Sequence, residues 1–381
     1  MSENMIIDAR MLSFSGIGRY TQDLLFGISQ LAGNRFQTSI IMRKNEESLL
    51  SGSPSLFKSF YTVYHPLSLA EVFRGEKTLH DALLSFKPNK ASILFLHWNV
   101  PVRYSAEIAS FTALVMHDLI PWKDAGHRKR WKTWAAWPVF AAAIMKSDVI
   151  IANSNYTRNE LASFCVSSRK KVVVVYPPLR QLGSLFGERH VPAGSADRFP
   201  VKKYFLYVGT TRSPHKNFKL LLSAWSKACI KMKKQDIYPL VAAGKDTQED
   251  IERMSRSLPD RLVPFLFGLG KVSRQEMDGL MRNAGVVCCP STMEGFGYVP
   301  LEALMHGVPA LTTEMPSVVE ILNEKRSLPP SDEQKWGEAL SSIMGGSGTP
   351  YLIEPSAEKA KLITDILSPK KVANSILNIM A

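Results

Sequence analysis

The feature that most constrains the fold of this chain is a strand-then-helix alternation that runs twice along the sequence. Short apolar runs such as residues 149–152 and 286–289 alternate with longer segments that have helical spacing. Such runs are typical of parallel strands that are buried on both faces. The pattern therefore predicts an α/β chain in which helices cover both faces of parallel sheets.

A segment rich in Gly, Pro and Ser separates the two series. We predict an N-terminal Rossmann-like domain at residues 1–178, a linker at 179–200, a second domain at 201–365 and a C-terminal helix at 366–381 that packs back on the first domain. A chain of 381 residues is too long for one ordinary core and fits two domains. Two such domains would form a cleft, with ligands at the carboxyl ends of the strands.

The same patterns locate the individual elements. Strands are predicted at residues 5–7, 38–42, 92–97, 112–116, 149–152, 172–175, 204–208, 240–243, 263–267, 286–289 and 309–312. Helices are predicted at residues 17–31, 131–145, 217–233, 299–305 and 369–380, and one more runs from a capping box at 273–276 to near Ala284.

Composition and charge restrict the compartment and the partners. The chain is 45% hydrophobic and 21% charged, as globular proteins are, and no run reaches the ~18 apolar residues that span a bilayer. The first residues lack a secretory signal pattern, so we expect a cytoplasmic protein. The four cysteines form no C-x-x-C pair, which argues against zinc and fits a reducing compartment. The net charge of +13 indicates an anionic partner, which leaves nucleic acid, a membrane or phosphate-bearing substrates.

The most informative motif extends from residue 290 to 303, where it follows a predicted strand and opens a helix. Its glycines allow the backbone to approach a ligand closely. The free amides of the first helical turn, together with the helix dipole, suit a diphosphate. Two carboxylates at this spacing can accept hydrogen bonds from hydroxyls on either side of that diphosphate. The motif's candidate site residues are Glu294, Gly295, Phe296, Gly297, Tyr298 and Glu302.

At this motif the chain resembles the retaining glycosyltransferases of family 4. That family has the GT-B architecture, an α/β fold of two Rossmann-like β/α/β domains facing across a cleft. Its motif has two glutamates separated by seven residues, with Gly-Phe-Gly after the first, as here. The resemblance implies that Glu294 contacts the donor sugar and that the Phe296 and Gly297 amides lie near the diphosphate or sugar. It also implies that Glu302 binds the ribose, and that donor binding belongs to domain 201–365 and acceptor binding to 1–178.

A second loop, residues 209–217, also lies between a predicted strand and a helix. The resemblance places Lys216 on the donor phosphates, where an ammonium neutralises the leaving diphosphate. The sequence departs from the family pattern at Thr210, where an arginine is frequent, and at His215. Arg212 is the candidate substitute for that arginine, and Gly209, Thr210 and Gly268 complete the predicted donor contacts.

The first domain carries further candidates at strand ends. Gly16 and Gly18 are predicted to allow donor or acceptor to approach the backbone. His117 is expected to donate to a sugar hydroxyl or phosphate, and we predict that it forms the catalytic set with Lys216 and Glu294. Asp118 would orient the imidazole or cap the next turn. Residues 153–158 either cap a helix or contact the acceptor.

Several signatures of other enzyme classes are missing from the sequence. The chain has no Asp-x-Asp motif, no G-x-x-x-x-G-K-[ST] loop and no full G-x-G-x-x-G after a strand. An ATPase and a nicotinamide enzyme are therefore disfavoured. We expect no metal and no cofactor, because Lys216 and the helix amides are available to stabilise the leaving group.

A basic stretch with three tryptophans spans residues 127–137. Tryptophan favours the membrane interface and lysine favours anionic head groups, so the stretch fits a membrane-surface contact. It equally fits a helix whose tryptophans are buried in the core and whose charges are solvated. The sequence leaves both interpretations open.

The combined expectation is a hexosyltransferase of cell-surface glycan biosynthesis. Residues 16–20 and 208–210 resemble a bacterial mannosyltransferase-like branch that assembles surface polysaccharides, often the O-antigen of lipopolysaccharide. This resemblance implies a GDP-mannose donor, a lipid-linked glycan acceptor and a peripheral location at the inner face of the plasma membrane. The alternatives are a related GT-B enzyme that phosphorolyses or epimerises a sugar nucleotide, and a non-catalytic nucleotide binder. Nucleic acid is disfavoured because the charge is dispersed and no binding motif is recognised.

Overall fold

The chain folds as two units, each around its own sheet. The structure, a computed structural model, describes residues 3–12, 15–31, 36–43, 61–65, 91–97, 109–123, 137–164, 171–180 and 198–381. The first unit combines Met1–Arg180 with Asp365–Ala381, and the second is Gln181–Thr364.

Strands of the first unit are β1 (Glu3–Asp8), β2 (Phe36–Arg43), β3 (Tyr61–His65), β4 (Ala91–Phe95), β5 (Ala109–Met116), β6 (Val149–Ala152) and β7 (Lys171–Val174). Strands of the second unit are β8 (Phe205–Val208), β9 (Leu240–Ala243), β10 (Leu266–Gly268), β11 (Val286–Cys289), β12 (Ala310–Thr312) and β13 (Leu352–Ile353).

Helices follow most of these strands. The first unit has α1 (Ser15–Ser29), α2 (Ile120–Lys123), α3 (Trp137–Lys146) and α4 (Asn155–Phe164). The second unit has α5 (Phe218–Ile230), α6 (Thr247–Ser255), α7 (Arg274–Asn283), α8 (Tyr298–Met305), α9 (Pro316–Leu322), α10 (Glu333–Met344) and α11 (Ala357–Ile366). The last helix, α12 (Pro369–Met380), belongs to the first unit.

Strand order gives both sheets a point where the direction of winding reverses. The first sheet has the order β3-β2-β1-β4-β5-β6-β7, with all neighbours parallel. The second has the order β10-β9-β8-β11-β12-β13, parallel except for the antiparallel edge strand β13. The reversals lie between β1 and β4 and between β8 and β11. Ligands of open parallel sheets bind at such reversals, beyond the carboxyl ends of the strands.

Helix α12 completes the core of the first unit. Its apolar residues Ala373, Ile376 and Leu377 are buried in the same cluster as Leu24 and Leu25 of α1. Their spacing of three and four residues places them on one face of the helix. The first unit is therefore discontinuous in sequence, since the whole second unit, Gln181–Thr364, lies between its two parts.

Most predicted elements are present, and the differences have local causes. The predicted strand at 263–267 begins too early, because Val263–Phe265 forms a 3-10 turn and Pro264 has no amide hydrogen for a strand ladder. The predicted helix at 217–233 ends at Ile230, where Arg261 donates to the carbonyl oxygens of Cys229, Ile230 and Met232. The capping box at Ser273 is confirmed, and α7 ends at Asn283 with Ala284 as its C-cap.

Candidate functional site

The loops that follow β8 and β11 meet at the reversal in the second sheet. The amide of Thr292 donates to the carbonyl oxygen of His215 at 2.7 Å. The Asn217 side-chain amide donates to the carbonyl oxygens of Pro290 at 3.1 Å and Pro330 at 2.7 Å. These bonds join two loops that lie more than 70 residues apart in sequence, so the side chains they carry have a defined relation to each other.

Lys216 and Glu294 form an ion pair at this junction. The Lys216 Nζ donates to Glu294 Oε1 at 2.6 Å, and the two side chains are 25% and 14% exposed. Burial alone would raise the pKa of Glu294. The charge of Lys216 and the hydrogen bonds from Lys216 and Ser291 outweigh that burial and hold the pKa below its ordinary value. Glu294 is therefore a carboxylate at neutral pH, and Lys216 brings a cation to the same place.

The segment between Glu294 and α8 is held in one conformation. Gly297 has φ +87°, a left-handed value that favours glycine, and it caps α8 without any side-chain hydrogen bond to the first turn. Ser317 donates through its amide to the Phe296 carbonyl oxygen at 2.9 Å and through its hydroxyl to that of Gly297. Gly297 has no side chain with which to cap α8, and the helix begins at Tyr298, directly after the Gly295-Phe296-Gly297 backbone. The amides of its first turn carry the positive end of the helix dipole.

The aromatic and acidic members of the motif lie on or beside α8. The Phe296 side chain is buried, and its ring meets that of Tyr298 edge-on at 5.5 Å. Glu302 lies on the second turn of α8 and is 8% exposed. The structure thus places both glutamates of the motif in the second unit, one before the loop and one inside the helix.

Arg212 has three carboxylate partners in and beside α6. Its guanidinium contacts Glu249 at 2.7 Å, Asp250 at 3.1 Å and Asp246 at 3.4 Å. Thr211 also donates to Asp250, at 2.7 Å, and Asp250 is buried. The geometry therefore gives Arg212 a structural role, because its ion pairs connect the 209–217 loop to α6. These acidic partners were not predicted from the sequence, because they lie 34 to 38 residues downstream of Arg212.

We expect Asp250→Asn to lower the free energy of unfolding by about 2 kcal/mol at pH 7, because buried charge-assisted bonds are lost. Burial would raise the pKa of Asp250, but the bonds from Thr211 and Arg212 outweigh it and the pKa is lowered. The stabilisation is present above the ordinary pKa near 3.8 and lost as the pH falls through the lower folded value. Urea unfolding at pH 7 and pH 3 measures this.

The matched control is Glu249→Gln, which removes an exposed partner of the same arginine. It should change stability by less than about 0.5 kcal/mol. Equal effects of the two substitutions, or an Asp250→Asn effect that is as large at pH 3 as at pH 7, would contradict the expected role of the buried carboxylate.

The remaining donor-side candidates are Gly209, Thr210 and Gly268. They lie at or just after the ends of strands, where backbone segments pack closely. The Gly209 amide donates to the Ala243 carbonyl oxygen, and the Tyr207 hydroxyl donates to the Thr210 carbonyl oxygen, both at 2.9 Å. A Cβ on Gly268 would lie 2.4 Å from the carbonyl oxygen of Thr247. Packing alone therefore accounts for the glycine at 268. Gly209 and Thr210 begin the same loop that carries Lys216.

His117 lies in the first unit, after β5. Its Nε2 is 2.9 Å from the Leu96 carbonyl oxygen, and since a carbonyl only accepts, Nε2 carries the proton and Nδ1 is an acceptor. Burial lowers the pKa of His117 to about 4, although the bond to Leu96 opposes this shift. At neutral pH the ring is uncharged. It can accept a hydrogen bond from a ligand hydroxyl through Nδ1, whereas the expected donation to a phosphate does not fit this tautomer.

His117 should make stability depend on pH. Between about pH 6.5 and pH 4 the unfolded chain binds a proton that the folded state does not, so the free energy of unfolding falls as the pH falls. We expect a loss of about 2 kcal/mol between pH 7 and pH 5 from this group. Urea unfolding of wild type and His117→Gln at both pH values measures the difference, and an NMR titration of the ring checks the pKa directly. Identical pH dependence in the two proteins would refute it.

The neighbouring polar residues of the first unit cap helices. The Ile120 amide donates to Asp118 at 3.0 Å, so Asp118 caps the next turn. The Thr157 amide donates to the Ser154 hydroxyl at 2.9 Å, which caps α4. The Asn153 side chain donates to the His117 carbonyl oxygen at 2.7 Å. Ser154 therefore caps α4, and Asn153 fixes the backbone at His117.

The two glycines near the start of α1 differ in their surroundings. Both lie inside the first turns of the helix. A Cβ on Gly18 would lie 2.0 Å from the Leu12 carbonyl oxygen, whereas a Cβ on Gly16 would meet nothing within 4 Å. Gly18 therefore has a packing requirement. Gly16 is exposed, and only contact with a ligand would give it a requirement for glycine.

Part of the basic aromatic stretch lies outside the described residues, which resume at Trp137. The Trp137 ring meets that of Trp122 edge-on at 5.3 Å and packs on Phe140 at 5.5 Å. Within the described ranges, none of the helices is both long and apolar enough to cross a bilayer. In the same ranges, no group of three or more His, Cys, Asp or Glu side chains is arranged to hold a metal ion.

The sequence of the second unit matches a known family. Residues 196–358 match the family model described as glycosyl transferases group 1. The O-antigen chain mannosyltransferase RfbU of Salmonella typhimurium is 30% identical over 146 residues, which cover 37% of this chain and 38% of that relative. The chain covers less than two thirds of the length of the first curated relatives it matches. The predicted resemblance to glycosyltransferases is confirmed for this segment.

Solved structures resemble the whole chain at low sequence identity. Sucrose-phosphate synthase of Thermosynechococcus elongatus has a TM-score of 0.74 at 16% identity, over 99% of this chain and 98% of that one. HepE of Anabaena, solved in complex with UDP and glucose, has a TM-score of 0.69 at 12% identity, over 99% of each chain. The predicted GT-B fold class is thereby confirmed.

Proposed function

We propose that this chain, whose residues 196–358 form a group 1 glycosyl transferase domain, is a retaining hexosyltransferase that uses a nucleotide sugar as donor. The acceptor is a lipid-linked or growing glycan of the cell surface. The most consistent donor is GDP-mannose, because curated relatives of this segment are named as mannosyltransferases. The enzyme works in the cytoplasm, at the inner face of the plasma membrane.

One observation carries this proposal: the ion pair of Lys216 and Glu294 at the reversal of the second sheet. A cation, a carboxylate and the N-terminal end of α8 all belong to the two loops that meet there. A nucleotide sugar presents a diphosphate beside a ring of hydroxyls. The cation and helix amides match the diphosphate, and the carboxylate matches the hydroxyls.

The reaction follows from the charges of these groups. The acceptor hydroxyl attacks the anomeric carbon on the face from which the diphosphate departs, and its proton passes to the departing phosphate oxygen. Lys216 and the α8 amides stabilise the negative charge that grows on the diphosphate. Glu294 orients the sugar by accepting from its hydroxyls, and Glu302 accepts from the ribose. His117 accepts from a hydroxyl through Nδ1.

Transfer from labelled nucleotide sugars tests the proposal. GDP-mannose, UDP-glucose, UDP-N-acetylglucosamine and ADP-glucose are offered with an undecaprenyl-diphosphate-linked oligosaccharide as acceptor. We expect hexose transfer from one donor class, with the anomeric configuration of the donor kept in the product as read by NMR. Because Lys216 supplies the counter-charge, transfer should survive EDTA.

Other outcomes of this assay identify the alternatives. Release of free sugar or sugar phosphate, with or without added glycan and never a glycosylated product, would indicate a different sugar-nucleotide enzyme. Binding of nucleotide without any turnover would indicate a binding protein. Failure to bind any of the four donors would refute the proposed function.

A further inference from the structure

Lys216 and Glu294 interact with each other directly, in addition to the roles proposed for each toward a donor. At 2.6 Å the contact is a short charge-assisted hydrogen bond. Lys216 and Glu294 are proposed to bind different parts of the donor, and they are also partners of each other. A ligand that binds to Lys216 therefore competes with Glu294 for the same ammonium group.

The loops that carry the two side chains are joined, so their backbones stay close to each other. Asn217, next to Lys216, is bonded to the Pro290 carbonyl oxygen, and Thr292, near Glu294, is bonded to the His215 carbonyl oxygen. The charge of Glu294 is also felt by buried neighbours. Burial raises the pKa of Tyr207 and of Cys289, and the Glu294 carboxylate raises both further. A diphosphate held by Lys216 therefore lies within the field of the Glu294 carboxylate.

Like charges in a partly buried site repel strongly, because water screens them less than at the surface. A free nucleoside diphosphate that binds Lys216 brings its negative charge next to Glu294 and offers that carboxylate no donor in place of the ammonium. A nucleotide sugar brings the same phosphates but adds hydroxyls that donate to Glu294. The two ligands therefore differ in one respect: only the nucleotide sugar donates hydrogen bonds to the Glu294 carboxylate in place of those from Lys216.

We propose that Glu294 makes the site selective for nucleotide sugars over free nucleoside diphosphates, by competing with the diphosphate for Lys216. This inference rests on the proposed function and deepens it. Glu294 then affects two steps. It favours binding of the nucleotide sugar, and it weakens binding of the diphosphate product after the sugar has been transferred. Selectivity by repulsion of the wrong ligand is a general device of specific sites.

Calorimetric titration with GDP and GDP-mannose, and with UDP and UDP-glucose, tests this on the full chain. In Glu294→Gln, a near-isosteric change that removes the charge, we expect the free diphosphate to bind about 5- to 50-fold more tightly than to wild type. The preference for the nucleotide sugar should fall correspondingly, and product inhibition by the diphosphate should strengthen. Lys216→Met should weaken both ligands.

Two further variants separate charge from structure. Glu294→Asp keeps the charge, so it should bind the free diphosphate within about threefold of wild type. Glu338→Gln removes one exposed negative charge on α10 and should leave both ligands unaffected.

The inference is overturned if Glu294→Gln leaves the diphosphate affinity within twofold of wild type or weakens it, while wild type still transfers sugar. It is also overturned if Glu294→Asp tightens diphosphate binding as much as Glu294→Gln. If no nucleoside diphosphate and no nucleotide sugar binds wild type, the proposed function fails together with this inference. Thermal melts of each variant verify that the fold is retained.

Discussion

Replacing Lys216 with alanine is expected to lower kcat for hexose transfer by about 100- to 1,000-fold, because one charged donor to the leaving group is lost. The residue is part of the loop that the second sheet places at its reversal, and its ammonium is held there by Glu294 at 2.6 Å. Steady-state kinetics with the donor identified by the transfer assay measure the effect. The loss should appear mainly in kcat, because the charge on the diphosphate grows as the sugar departs.

Lys219→Ala is the matched control. Lys219 is also a lysine at the start of α5, but it is exposed and three residues further along the chain. Its removal should leave kcat within about twofold of wild type, because an exposed charge is largely screened. Equal losses in the two variants would mean that general positive charge, and not the position of Lys216, supports the reaction.

Gly18→Ala should be the most destabilising single-methyl change considered in the first unit, at about 3 kcal/mol or more. The added Cβ would lie 2.0 Å from the Leu12 carbonyl oxygen and 2.7 Å from its carbon. Those atoms are backbone, so the start of α1 and the turn before it must separate. Leu12 and the adjoining residues of α1 belong to one buried cluster, which that movement would loosen. Urea unfolding measures the change.

Gly16→Ala provides an opposite expectation two residues away. Nothing lies within 4 Å of a Cβ at this position, so alanine should be tolerated, with a gain of up to about 1 kcal/mol from helix propensity. If Gly16 contacts a ligand as the sequence predicts, transfer activity falls in this variant although stability does not. A stable and fully active Gly16→Ala would remove Gly16 from the site, and a stable Gly18→Ala would contradict the packing argument.

Features that depend on neighbouring residues were readable from the sequence, and features that depend on distant ones were not. The segment from Glu294 to Glu302 could be recognised because its glycines, carboxylates and helix start lie within nine residues. The contact between Lys216 and Glu294 could not, since it requires β8 and β11 to be neighbours, and strand order is not encoded locally. Arg212 shows the same limit: its charge suggested phosphate, but its partners lie on α6.

Some short elements and side-chain details were also not predicted from the sequence. Strand β13 has two residues, too few to show any alternation. Helix α9 begins at a proline that also fits a turn. Helix α10 was not predicted, although its buried residues Trp336, Ala339, Leu340 and Met344 have the spacing of one helical face. The tautomer of His117 required the position of the Leu96 carbonyl oxygen, which no sequence pattern specifies.

The discontinuity of the first unit has a consequence for biosynthesis. Ribosomes release a chain from its N-terminus onward, so residues 181–364 emerge and can fold before α12 exists. Until then, the apolar face of α1 that α12 covers, including Leu24 and Leu25, remains open to solvent. We therefore expect chaperones to bind the exposed apolar face of α1 in the nascent first unit. A chain that stops short of α12 would expose the same face permanently and be prone to aggregation or proteolysis.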